Sequence, residues 1–502
     1  MSLDVKPRQN PGRLLLAGLG LLALLGGGAF LATRTAAPPR ILLLDPPADA
    51  ADGLEAEQRR ALQELVGKEL ESTCGATVVE VARPLDPAVL RDLPGRDRFV
   101  ELRARREGDR LALGVRLAEA GALRRQGEAA WREVAGLAQD PAEALRGALA
   151  VIEPAARAHA DHHLPRQPAH FWSLLKAWQW HRINDRLPEA LQLVEGVCRA
   201  EPDCLMAWTT RGDLLYRRLL IDPLGHPLAQ NEAEACFQKA LGECPAHPQA
   251  VFLLAELKID AGDQRAALDL LREGLASRPG VVPLHTALVY AARTAGLLEL
   301  ARQALEARDR RVPAGLQASS AENTWLYLGD LPRFEASLFE RPGNPRNTVV
   351  KFYRGYLALM KGDRSQALDH FRETSRSPYG YGQFIELAEV YARMVEGRRE
   401  EALAGLRRLD QERVGLRVPD GEFTFKLAEA YALLGERGEA LTMATRAYHQ
   451  GFSCLRWYRQ DPFLRSLEGL PRWQALLGHL QERQAALEAR YPAGGFRRAL
   501  RR

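Results

Sequence analysis

No nucleotide-binding, metalloprotease or acyl-transfer signature occurs in this chain: G-x-x-x-x-G-K-[ST], H-E-x-x-H and G-x-S-x-G are all missing. Without them nothing cradles a phosphate or pairs a nucleophile with its base, so neither an enzyme nor a cofactor is expected. Cysteines number only six, and no C-x-x-C or accompanying histidine pair is present, which argues against zinc. His159, His162 and His163 form an H-x-x-H-H cluster with Asp161 as its nearby carboxylate. The cluster lacks a ligand set and reads as a solvated stretch between domains, with proton affinities suited to answering external pH. A concentrated basic face is also lacking, because 69 Lys and Arg against 64 Asp and Glu leave a charge of +5 spread along the chain. Nucleic acid is therefore not an expected partner. The basic residues gather only at Arg497, Arg498, Arg501 and Arg502, which read as a solvated tail.

What is present begins with Leu14–Ala32, a run of uncharged, almost wholly apolar residues that includes Gly26-Gly27-Gly28. At about 1.5 Å per residue it reaches roughly 28 Å, enough for one transmembrane helix. The following Thr33-Arg34-Thr35-Ala36-Ala37-Pro38 offers no good small-x-small cleavage site, which favours an anchor over a signal peptide. The body is expected outside the cytoplasm, in the periplasm of a bacterial inner-membrane protein. If Met1 is the true start, the dozen residues before the run cannot bury a core, and no output domain is expected there.

The clearest order lies between Leu205 and Gly315. Ala233, Ala267 and Ala301 are 34 residues apart, and Pro245, Pro279 and Pro313 keep the same step. That is the tetratricopeptide period. Each unit sets a small residue where two helices cross, a larger one four positions on (Phe237, Leu271, Leu305), and a proline where the second helix stops. Outward from this block, Ala177, Ala190, Val194 and Pro202 fit a unit at 171–204. Nine extra residues fall in Ile221–Asn231, Ser319–Pro342 is a compressed pair, and Gly355, Ala367, Phe371, Ala402, Leu406, Ala428 and Ala440 carry the pattern on. About seven units are expected over 171–455, then a helical cap at 456–487 and a basic tail at 488–502.

Before the array, Ile41–Leu44 and Thr77–Val81 read as strands around a helix at Leu54–Ser72. Phe99–Arg105 and Leu111–Leu117 form a hairpin about Glu107-Gly108-Asp109, and Asp140-Pro141-Ala142-Glu143 opens a helix. The fold class expected is mainly α: a helical-hairpin superhelix preceded by a linker at 33–40, a small α/β domain at 41–155, a second linker at 156–170 and one transmembrane helix.

The segment FVELRARREGDRLALGVRLAEAGA at 99–122, followed by a helix and then repeats, resembles the TolB-like amino-terminal domain found with tetratricopeptide repeats in bacterial cyclase-like and membrane-anchored regulator proteins. That family has an acidic-Ala pair, a Gly and soon a tryptophan. Here Glu119-Ala120-Gly121 is followed late by Trp131, as a lengthened or bulged last strand would place it. LAEAYALLGERGEALTMATRAY at 427–448 and DPFLRSLEGLPRWQALL at 461–477 are similar to the family's last repeat and closing helices. The resemblance implies an extracytoplasmic body without the family's winged-helix or catalytic output.

Binding is what such an array offers. The concave positions carry Gln179, Arg182, Asp213, Glu256, Tyr290 and Arg293, a mixed apolar and acidic groove without the Lys and Asn pattern that clamps a C-terminal carboxylate. Trp172, Trp178 and Trp180 read as helix packing. Cys198 and Cys204 bracket the end of one repeat, while Cys236 and Cys244 lie on and beyond a helix of the next. These are the disulfide candidates in an oxidising compartment, unless Cys198 and Cys236 are simply small buried residues. The expected function is a membrane-anchored scaffold holding a protein or peptide partner. The alternative is a sensor of a ligand or pH that acts through a partner.

Overall fold

Four consecutive apolar residues make β1 (Ile41–Leu44), and their burial on both faces follows from its place in the sheet. β1 lies between β2 (Val78–Val81) and β3 (Arg98–Glu107), parallel to both, and β4 (Arg110–Glu119) and β5 (Arg132–Gln139) complete the order β2-β1-β3-β4-β5. A strand covered on two faces has no polar side to alternate. Ile41 and Leu43 pack toward α1 (Ala56–Cys74) and α4 (Pro141–Ile152). Leu42 and Leu44 face a smaller cluster formed with α2 (Pro87–Asp92) and α3 (Ala120–Gln126). The computed structural model describes residues 39–46, 53–81, 87–154, 156, 163–181, 186–221, 225–226, 228–312, 320–339, 348–377 and 382–501. The apolar run Leu14–Ala32, His159, His162, Arg182 and Pro313 lie outside them. Among the described residues no helix is long and apolar enough to cross a membrane.

The hairpin forms where expected, turning at Gly108 with φ +62°. Beyond the hairpin the chain departs from the expected single lengthened strand. The residues that delay Trp131 form α3 and a 3-10 turn at Gly127–Ala130, after which a fifth strand, β5, pairs antiparallel to β4 with an irregularity between Leu113 and Val115. Asp140 caps α4 by accepting from the Ala142 and Glu143 amides, as its Asp-Pro context predicts.

The remainder is helical, in consecutive antiparallel pairs. These are α5 (Pro168–Trp180) with α6 (Leu187–Ala200), α7 (Leu205–Ile221) with α8 (Ala229–Glu243), α9 (Pro248–Asp260) with α10 (Gln264–Ser277), and α11 (Val282–Thr294) with α12 (Leu298–Arg311). Then come α13 (Asn323–Tyr327) with α14 (Leu331–Phe339), α15 (Thr348–Met360) with α16 (Arg364–Ser375), α17 (Gly382–Val395) with α18 (Arg399–Arg413), and α19 (Gly421–Leu433) with α20 (Arg437–His449). Among the described residues eight pairs are present where the spacing predicts about seven, and the short α13–α14 is the compressed one. Ala233, Ala267 and Ala301 are all fully buried, with Phe237, Leu271 and Leu305 beside them. At Gly212 a methyl group would stand 2.4 Å from the Phe237 ring, which is why the first helix of that pair carries glycine there.

The array curls until its last pair meets its third and fourth. The Asp420 amide donates to the Asp260 carbonyl at 3.0 Å, the Ser453 amide to the Thr294 carbonyl at 2.7 Å, and the Tyr491 hydroxyl to the Arg265 carbonyl at 3.1 Å. The closing segment comprises α21 (Leu455–Gln460), α22 (Pro471–Arg490) and α23 (Arg497–Arg501). The tail expected to be solvated is packed: Tyr491, Phe496 and Leu500 are buried, and Arg310 and Arg311 donate to the Leu500 and Ala499 carbonyls. Arg497, Arg498 and Arg501 stay exposed while the apolar residues supply the anchor. The α/β layer docks on the array through Thr77 Oγ1 to the Gly280 carbonyl at 2.8 Å and Trp172 Nε1 to the Asp109 carbonyl at 2.9 Å.

Candidate central cavity

Curling brings the first helices of the pairs around one cavity of about 160 Å³, lined from α7, α9, α11, α15 and α17, and by α19 on the far side. The concave face is thus not the open groove the sequence suggests, because α19 stands across from α9 and α11. Asp260, at the end of α9, is the centre of its polar lining. Its two carboxylate oxygens accept from the Tyr216 hydroxyl and, at 2.7 Å, from the Tyr290 hydroxyl. Tyr290 also lies 3.5 Å from Asp420 Oδ1. Asp420 precedes α19 with φ +49°, a conformation few non-glycine residues adopt, and its side chain accepts from the Phe423 amide at 3.1 Å. The strain holds its carboxyl beside Asp260.

Burial raises the proton affinity of these acids. It pushes Asp420 up to about 7, with the charges of Asp260 and Glu422 adding to the rise. Asp260 rises to about 6 because burial outweighs its two tyrosine hydrogen bonds. Glu256, half-buried on α9 but turned toward the cavity, rises to about 8 through burial and the charges of Asp260 and Asp213. Opposite them stands Arg413, buried with its ring contact to Phe423 at 4.3 Å, and burial lowers its pKa to about 10. Arg413 donates through Nη1 to Gln383 at 3.0 Å, while Nε and Nη2 have no hydrogen-bond partner among the described residues. The Arg413 charge thus acts on Asp260 and Asp420, while those of Arg217 and Lys68 act on Glu256.

The other charges here are already matched. Arg293 lies 2.8 Å from Glu422, which also accepts from Tyr327 at 2.5 Å. Burial alone would lower the Arg293 pKa, but the Glu422 charge outweighs it and the pKa rises. Lys426, fully buried, sits 2.7 Å from Glu429 and 4.2 Å from the centre of the Tyr356 ring.

Of the residues expected in the groove, Glu256, Tyr290 and Arg293 line the cavity, and Asp213 lies beside Glu256, 3.5 Å from Arg217. They are not free surface groups: Arg293 is 2% exposed and paired, and the Tyr290 hydroxyl is engaged. Gln179 lies elsewhere, donating at 2.6 Å to Glu55 in a shallow pocket walled by Trp172, Lys176 and Trp180. Trp178 packs in the core as expected, bonded to Thr210 at 2.9 Å, whereas Trp180 is stacked under Lys176 at 4.7 Å on the pocket wall. Asp260, Asp420, Tyr216 and Glu422 escaped the sequence reading. The Asp420-Gly421-Glu422 turn before a helix was the available signal for two of them.

All six cysteines are free thiols in this structure, with Cys198, Cys204 and Cys236 buried. The geometry turns them elsewhere: Cys204 donates to the His163 carbonyl at 3.5 Å and Cys236 receives Arg211 Nη1 at 3.2 Å. Among the described residues no cluster of His, Cys, Asp or Glu is arranged to hold a metal ion. No model of a known protein family matches the sequence, and no curated protein matches it.

Proposed function

We propose that this chain is a non-enzymatic binding protein, a tetratricopeptide array behind a TolB-like domain, tethered by Leu14–Ala32 with its body in the bacterial periplasm. Its ligand is a single cationic group, either a small amine or a lysine or arginine side chain presented by a protein or peptide partner. The observation that carries this reading is the convergence of Glu256, Asp260 and Asp420 on one cavity, where burial raises all three despite Arg413 near the two aspartates and Arg217 and Lys68 near Glu256. A cation placed among them would let the carboxyls ionise and be repaid in charge-assisted hydrogen bonds. At about 160 Å³ the space equals roughly five waters, enough for one side chain and too little for a folded segment.

The test uses n-butylamine, n-butanol and butyrate with the full chain, read by thermal shift and calorimetry. Butylamine alone should raise the melting temperature, with proton release on binding and tighter binding at pH 8 than at pH 5.5, and Asp260→Asn should weaken it about tenfold or more. Equal responses to all three probes would sink the reading. Retention in the membrane pellet after carbonate extraction checks the tether.

The sensor reading draws on the same carboxyls. Groups titrating between about 6 and 8 across the seam between α9 and α19 make cavity occupancy and external pH act on the contact that closes the ring.

A further inference from the structure

A second cavity, of about 490 Å³, opens where the α/β layer meets the first helix pair. Glu55 and Gln58 enter it from the start of α1 and Arg106 from the end of β3, while α5 supplies the facing wall. Trp172, Lys176, Gln179 and Trp180 recur at helical spacing, so α5 turns one stripe of indole, ammonium and amide groups toward the same space. Elsewhere this junction is closed: His163, expected on a solvated stretch, is 6% exposed and stacks on His247 with ring centroids 5.3 Å apart.

The side chains of the cavity are held in place but not used up. Trp172 is 8% exposed and lies under the Arg106 guanidinium at 4.0 Å, and Arg106 Nε donates to the Gly108 carbonyl at 2.8 Å. Its two Nη groups make no hydrogen bond among the described residues. Glu55 caps α1, its carboxylate accepting from the Gln58 amide and, at 2.6 Å, from the Gln179 side-chain nitrogen. Gln58 Oε1 in turn accepts from the Glu55 amide at 3.1 Å. The Gln58 side-chain nitrogen and the Gln179 oxygen have no bond among the described residues. Trp180 is only half-buried, with the Lys176 ammonium 4.7 Å from its ring centre.

We propose that this cavity binds a saccharide that carries a carboxylate. A pyranose has an apolar C–H face and a rim of hydroxyls that both donate and accept. The Trp180 indole offers a surface for the first, and Gln58, Gln179 and Glu55 offer a donor and acceptors for the second. A purely aromatic ligand would use the indole and leave those polar groups covered and unpaired. Arg106 and Lys176 set the sign, since neither is in an ion pair among the described residues and together they outnumber Glu55. The Nη groups of Arg106 can take a carboxylate two-pronged, and Lys176 adds a point charge beside it. The volume falls within the roughly 300–1,000 Å³ of small-ligand sites.

The experiment titrates the full chain, in a zwitterionic detergent without sugar headgroups, with digalacturonate, galactobiose and benzoate, followed by calorimetry. Digalacturonate should bind at least about tenfold more tightly than galactobiose, and benzoate more weakly than either. Trp180→Ala should weaken both disaccharides about tenfold, whereas Lys176→Gln should weaken digalacturonate alone. Asp260→Asn, in the central cavity, should change neither. No binding of either disaccharide up to about 10 mM, equal affinity for the two, or benzoate binding as tightly as digalacturonate overturns the proposal. So does unchanged binding in Trp180→Ala. Should that variant not fold, saturation-transfer NMR on the unsubstituted chain decides: transfer from the indole protons to the C–H face of digalacturonate supports the site, and its absence overturns it.

Discussion

Asp260 divides its oxygens between Tyr216 and Tyr290 while Asp420 and Glu256 crowd it, so all three acids hold protons more tightly in the folded chain than in the unfolded one. Between about pH 4 and pH 8 the unfolded chain has lost protons that the folded chain still carries, and these groups lower stability as pH rises. His247 and His285, each driven down to about 3 by burial, pull the other way by adding stability as pH rises toward 6.5. A difference measurement separates the two. Asp260→Asn should become more stable relative to the unsubstituted chain as pH is raised from 5 to 8, by about 1.4 kcal/mol in all, because only the unit between pH 5 and the Asp260 value of about 6 falls in that window. Urea midpoints at the two pH values check it, and a constant gap between the chains would show that Asp260 does not titrate in this window. The sequence showed Glu256, Tyr290 and Arg293 as concave residues because helical spacing fixes which face they share. It could not show Asp260 beside Asp420, since 160 residues and a full turn of the array separate them.

At the scale of the helix pair, small residues decide how closely two helices approach. Gly212 and Gly355 stand against the Phe237 and Phe371 rings, where a methyl group would lie 2.4 and 2.8 Å from ring carbons. Gly212→Ala should therefore cost about 1–3 kcal/mol by overpacking. Gly242, also helical, has nothing within 4 Å of an added methyl, so Gly242→Ala should gain up to about 1 kcal/mol from helix propensity alone. Thermal melts of the two variants should move in opposite directions. If both rise, the crossing at Gly212 is looser than its contacts show. These elements were legible because period, cap and crossing residue speak together: Asp140-Pro141 announced α4, and the repeated alanines announced the crossings. β5 was not, because REVAGLAQ at 132–139 alternates poorly and owes its strand to pairing with β4. The packed tail was hidden by its arginines, whose apolar neighbours Phe496 and Leu500 find partners on helices nearly 200 residues earlier.

For the whole molecule, closure of the array turns a stack of neighbours into a ring with long-range ties. Arg293 and Glu422 form the most buried of them, 2% and 9% exposed at their side chains. Arg293→Met should cost about 3–5 kcal/mol by stranding the Glu422 charge, and adding Glu422→Gln should return most of it. Denaturant titration of the single and double variants checks this, and equal losses in both would place the cost in packing. The closure has one more outcome. Arg311, at the end of α12, donates through Ala499 to the last helix and receives at its own carbonyl the Arg40 guanidinium, 3.2 Å away. The first strand and the last helix of the body therefore leave from one place. Joining residue 501 to residue 40 by a short polar linker and opening the chain between α14 and α15 would give a circular permutant with every described element retained, its register unchanged and its loop-closure entropy nearly that of the original.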